Sequence, residues 1–150
     1  NKLLTTQLEN KDFLLILKNQ INSSVESKFI DLFFEKDIEK NLGLVRIIFE
    51  TILQTIQSKH NIVSVVKNTF MSDFIYAIEN KNQNPPYIPQ YNVLNSSELI
   101  VSLLRNVKSI TSAYGSHSTI SKVGYMPSEN TKISLIFALK EIILWFDKII

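Results

Sequence analysis

Leu3, Leu4, Leu8, Phe13, Leu14, Leu17 and Ile21 recur at steps of roughly three and four residues, the spacing that gathers apolar side chains on one face of a helix. Asn22-Ser23-Ser24 ends that stripe. Ser24 reads as the N-cap of a second helix, with Glu26 in its first turn and Phe29, Ile30, Phe33 and Phe34 as its core face. Asn41-Leu42-Gly43 reads as a break, followed by a third helix on Leu44, Ile47, Ile48, Thr51, Ile52 and Ile56 that closes near Lys59-His60-Asn61, where positive charge suits a helix C-terminus.

From Ile62 to Glu79 the pattern is mixed. Val63, Val65 and Val66 fit a short strand, whereas Phe70, Phe74, Ile75 and Ile78 favour a helix for the second half. The segment Asn80 to Pro89 holds three prolines, which fix φ and remove amide donors, so it predicts a long loop. Ser96 or Ser97 then caps a helix whose apolar stripe is Leu99, Ile100, Leu103, Leu104, Val107 and Ile110, with Gly115 as its stop. Ser128 caps the last helix, with Glu129 near its positive end. Its stripe runs from Ile133, Ile136 and Phe137 to Leu139, Ile143, Leu144 and Phe146, with Lys140 interrupting it. The expected architecture is therefore all-α, a single-domain bundle of about five or six helices.

Composition fits one globular core: 150 residues, 45% hydrophobic, 20% charged. There is no cysteine, which rules out disulfides, thiolate zinc sites and cysteine nucleophiles together. Two histidines far apart, neither with a carboxylate at ligand spacing, give no basis for a dedicated metal site, and no cofactor is expected. No secretory segment or membrane-length apolar run is visible, so a cytoplasmic location without a membrane partner is expected. The chain opens on Asn1 and not on methionine, so a longer protein is an expectation. A formal charge of +2 permits nucleic acid as a partner. Only Arg46 and Arg105 among the 16 basic residues are arginine.

The stretch Ala113-Tyr114-Gly115-Ser116-His117-Ser118 reads as chemistry. It sets a histidine, which titrates near neutral pH, beside a tyrosine, a glycine and hydroxyls just beyond a helix. Arg105, Ser109, Ser112 and Ser116 are spaced to share one helical face, with Lys108 at its edge. That face is either the solvated side of an amphipathic helix or a surface that holds phosphate. His117 is either a capping residue or an acid or base that acts on an RNA 2′-hydroxyl or leaving oxygen. A straight helix would put Arg105 roughly 18 Å before His117, so one protomer brings the two together only if the loop folds back. Tyr114 and Tyr125 flank the loop, and their rings either stack bases or pack against the core. Arg46 and Glu50, at i and i+4, predict a helix-surface ion pair.

The order of helices, with Phe49-Glu50-Thr51-Ile52-Leu53 on an earlier one, Leu99 to Ile110 on a later one, Tyr114-Gly115-Ser116-His117-Ser118 and a closing helix from Ile133 to Ile149, resembles the C-terminal domain of bacterial abortive-infection proteins. That group belongs to the helical HEPN (higher eukaryote and prokaryote nucleotide-binding) class. The resemblance covers residues 43–150, with 1–42 as preceding helices. The signature's Arg-Asn falls where this chain has Ile110-Thr111-Ser112, Arg105-Asn106 comes earlier, and Ser118 stands in place of the final glycine. The resemblance implies a defence or toxin-type domain that binds RNA and cleaves it without metal, often as a homodimer. His117 and Arg105 would be the catalytic residues, and Lys108, Ser112, Tyr114, Ser116 and Lys122 the nucleic-acid contacts. The alternatives are a non-catalytic interaction or dimerisation module and a scaffold packed on a neighbouring domain of a longer chain.

Overall fold

The computed structural model describes residues 12–59, 74–75, 98–114 (side chains as far as Ser112) and 127–150. Among the described residues all regular structure is helical: α1 (Asp12–Gln20), α2 (Ser23–Phe34), α3 (Ile38–Lys59), α4 (Glu98–Tyr114) and α5 (Glu129–Ile149). Phe74 and Ile75, expected on a helix, are helical and buried. No helix among them is long and apolar enough to cross a membrane.

Helices α3 and α5 form the centre. Helix α3 packs against α2, α4 and α5, and α5 packs against α1, α3 and α4, so the shorter helices close around the long pair. The cause lies in the sequence of α3, where Leu42, Val45, Ile48, Phe49, Ile52, Leu53 and Ile56 repeat at the helical period and are all sealed from solvent. Helix α5 answers with Leu135, Ile136, Leu139, Ile142, Ile143 and Phe146. At the α1–α2 contact the Phe13 and Phe29 rings meet edge-on with centroids 5.1 Å apart, and Phe33 tilts against Phe29 at 5.6 Å.

Several helix boundaries differ from the sequence reading, each for a local reason. Asn22, not Ser24, caps α2: its extended backbone (φ −170°) lets Oδ1 accept the Val25 N–H at 2.9 Å, while Ser24 Oγ is taken by Lys28 Nζ. Asn41-Leu42-Gly43 lies inside α3 and does not break it. The helix begins where Asp37 Oδ1 accepts the Glu39 N–H at 2.9 Å, and burial of Leu42 and Val45 outweighs the helix-breaking tendency of one glycine. Ser128 does cap α5, its own N–H donated to Thr131 Oγ1 at 3.0 Å. Helix α4 is described as far as Tyr114, and Gly115 lies outside the described residues.

Five large side chains expected in the core are exposed: Phe34, Ile47, Leu99, Phe137 and Leu144. In α5 the buried arc is rotated from the expected one, so Ile142 and Trp145 are inside and Leu144 is outside. Lys140 does not break the packing. Its ammonium lies over the Phe13 ring, 5.0 Å from the centroid, and its stem covers apolar surface.

Candidate nucleic-acid interface

Helix α4 has one face committed to the core and another left polar. Leu104 and Val107 are fully buried, and so is Thr111, whose hydroxyl is satisfied within the helix by donation to Val107 O at 2.7 Å. The opposite side carries Arg105 and Ser109, both exposed, with Lys108 and Ser112 half-buried at its edges. Ser112 follows Lys108 by one turn and Arg105 by two, so the three share a side of the helix. The structure thus places Arg105, Lys108 and Ser112 on one surface. Tyr114 is the last residue described in α4, without its side chain, and Ser116, His117 and Lys122 lie outside the described residues.

A residue that the sequence reading assigned elsewhere joins this surface. Arg46, on α3, does not pair with Glu50. Its Nη1 donates to Ser112 Oγ at 2.9 Å across the α3–α4 seam, and Glu50 Oε1 instead accepts from Gln54 Nε2 at 3.4 Å. The i,i+4 spacing offers a pair worth only a few tenths of a kcal/mol, so a tertiary partner within reach of a long side chain readily displaces it. The sequence held one usable signal, that Arg46 is one of two arginines in a lysine-rich chain.

The electrostatic setting follows from the distribution of carboxylates. Between residues 80 and 128 the sequence contains a single acidic residue, Glu98, against Lys81, Arg105, Lys108 and Lys122. Glu98 stands in the first turn of α4, two turns ahead of Arg105, where it complements the helix dipole. After Glu98 the sequence of α4 contains no further carboxylate, and Arg105 and Lys108 are the charged residues of the rest of that helix. Among the described residues no group of His, Asp and Glu is placed to hold a metal ion.

A second surface feature lies away from α4. Asp31, Phe34 and Glu35 of the α2 end, with Lys40, Gly43, Leu44 and Ile47 of α3, line an open groove of about 550 Å³. Phe34 is 67% exposed there and Ile47 47%. In comparisons with known proteins, no family model, curated protein or solved structure matches the chain.

Proposed function

We propose that this chain is a HEPN-like helical domain of bacterial defence or toxin type that binds RNA through the polar side of α4 and cleaves it without metal. The observation that carries the reading is the polar side of α4, where the helix's two cationic residues, Arg105 and Lys108, stand with Ser109 and Ser112 on a helix whose other side is locked into the core. A regular helix fixes the spacing of such groups, and cations and hydroxyls at one-turn intervals suit contacts to successive backbone phosphates. His117 follows Ser112 by five residues in the chain and is the proposed acid or base, with Arg105 offsetting the charge that develops on phosphate. The test is incubation of purified protein with single-stranded RNA in chelator. The reading expects salt-sensitive binding and cleavage that His117→Ala abolishes with the fold intact. Absence of binding at low salt, or a His117→Ala variant as active as wild type, refutes it.

A second reading, a non-catalytic dimerisation module, is favoured by the Phe34 and Ile47 groove. Its apolar floor and its mixed rim of Asp31, Glu35 and Lys40 are chemically self-complementary, as a twofold contact with a second copy requires. Sedimentation of wild type against Ile47→Asp separates the two: a dimer that this change converts to monomer supports the module, and a wild-type monomer removes it.

A further inference from the structure

The hydrogen bond from Arg46 to Ser112 is poorly explained by packing alone. A half-buried guanidinium loses part of its hydration, and the usual compensation is a carboxylate that accepts two parallel N–H bonds. Arg46 instead meets a neutral hydroxyl at 2.9 Å, while the carboxylate one turn along its own helix, Glu50, is held by Gln54. Guanidinium has five N–H donors, and among the described residues the Ser112 bond uses one of them. Ser112 Oγ acts as an acceptor toward Arg46, which leaves its own proton to donate elsewhere. Lys108, one turn before Ser112 on the same helix, has no ion pair among the described residues.

We propose that Arg46, Ser112 and Lys108 form a phosphate-binding site at the α3–α4 seam, a deepening that rests on the RNA-binding reading above. The guanidinium presents its remaining N–H groups to the phosphate oxygens, the Ser112 hydroxyl adds a third donor, and the Lys108 ammonium contributes a point charge. All three side chains spring from regular helix. On α3, Val45 and Phe49 are fully buried on either side of Arg46 in sequence, and on α4 Val107 and Thr111 are fully buried beside Lys108 and Ser112. The helices fix where all three side chains start, and the Arg46–Ser112 hydrogen bond holds the guanidinium before the ligand arrives, which lowers the ordering cost of binding. The ligand is a phosphate oxyanion, supplied either by a nucleic-acid backbone or as free phosphate.

The experiment titrates the full chain with labelled single-stranded RNA and, separately, with inorganic phosphate, using wild type, Arg46→Ala, Arg46→Lys, Ser112→Ala and the remote control Lys28→Ala. Circular dichroism checks each fold, and Ser112→Ala keeps every charge in case Arg46→Ala does not fold. The site predicts about tenfold weaker RNA binding for Arg46→Ala, with the log–log salt slope smaller by about 0.7. Arg46→Lys should be intermediate, Ser112→Ala a few-fold weaker, and Lys28→Ala unchanged. Phosphate binding that depends on Arg46, without any RNA binding, upholds the site and overturns the RNA reading. RNA binding weakened by Arg105→Ala but indifferent to Arg46 and Ser112 overturns the site and leaves the RNA reading standing. No binding of either ligand overturns both.

Discussion

Lys132 and Arg46 each carry a positive charge from one helix to another, and their surroundings differ in the way that separates structure from surface. Lys132, at the start of α5, is 3% exposed and donates from Nζ to Glu35 O at 2.8 Å, just past the end of α2. A carbonyl at a helix C-terminus is the negative end of the dipole, so the buried ammonium meets a partner that offsets its desolvation and stops α2 at the same point. Arg46 is half-buried, meets a neutral hydroxyl, and faces a side of α4 without a carboxylate beyond Glu98. The first cation is consumed by the fold. The second is held in place by the fold and, among the described residues, left with donors to spare.

The largest expected effect breaks the first half of that contrast. Lys132→Met keeps most of the volume but leaves the half-buried Glu35 carbonyl without its charged donor, which should cost about 1–2 kcal/mol in urea-monitored unfolding. RNA affinity per folded molecule should not change. Arg46→Ala should invert the pattern, costing less than about 1 kcal/mol of stability while weakening RNA binding about tenfold, equivalent to about 1.4 kcal/mol. A smaller effect is expected near the α2–α3 corner. Asn41 is 1% exposed, and neither its amide nitrogen nor its amide oxygen has a hydrogen-bond partner among the described residues. Asn41→Leu removes that penalty at similar volume and should raise stability by about 1 kcal/mol, and a clear loss would show that the amide is needed there. The smallest concerns Gly43, in the interior of α3, where an added Cβ would meet nothing within 4 Å. Gly43→Ala should stabilise by about 0.5–1 kcal/mol through helix propensity alone. If a second copy covers the groove, the same change should weaken the dimer, so the sign read by sedimentation sharpens the choice between the two functional readings.

The all-helical fold was legible because periodic burial dominates long helices: Leu104, Val107, Ile136, Leu139 and Phe146 lie where the pattern puts them. Caps were legible only in part. Ser128 caps its helix as its position predicts, whereas the cap read at Ser24 lies at Asn22, whose extended backbone lets its side chain reach the Val25 N–H. The reading of Asn41-Leu42-Gly43 as a break failed because it weighed local propensity above the buried Leu42 and Val45, and it missed Asp37, two residues before Glu39, as the start signal. Phe34, Ile47, Leu99, Phe137 and Leu144 were misplaced because hydrophobicity fixes which residues seek burial but not how wide each helix's covered arc is. Of the candidate site, the shared face of Arg105, Lys108 and Ser112 follows from spacing alone. The arrival of Arg46 does not, since it joins positions 66 residues apart, and no local pattern encodes which helix lies across the seam.

The account turns on whether the α3–α4 seam engages phosphate, and the most direct measurement is the low-salt RNA affinity of Arg46→Ala, corrected for folded fraction, beside wild type. The account predicts binding about ten times weaker from a protein of nearly unchanged stability. Equal affinity, with the loss confined to unfolding free energy, would make Arg46 a second Lys132 and contradict it.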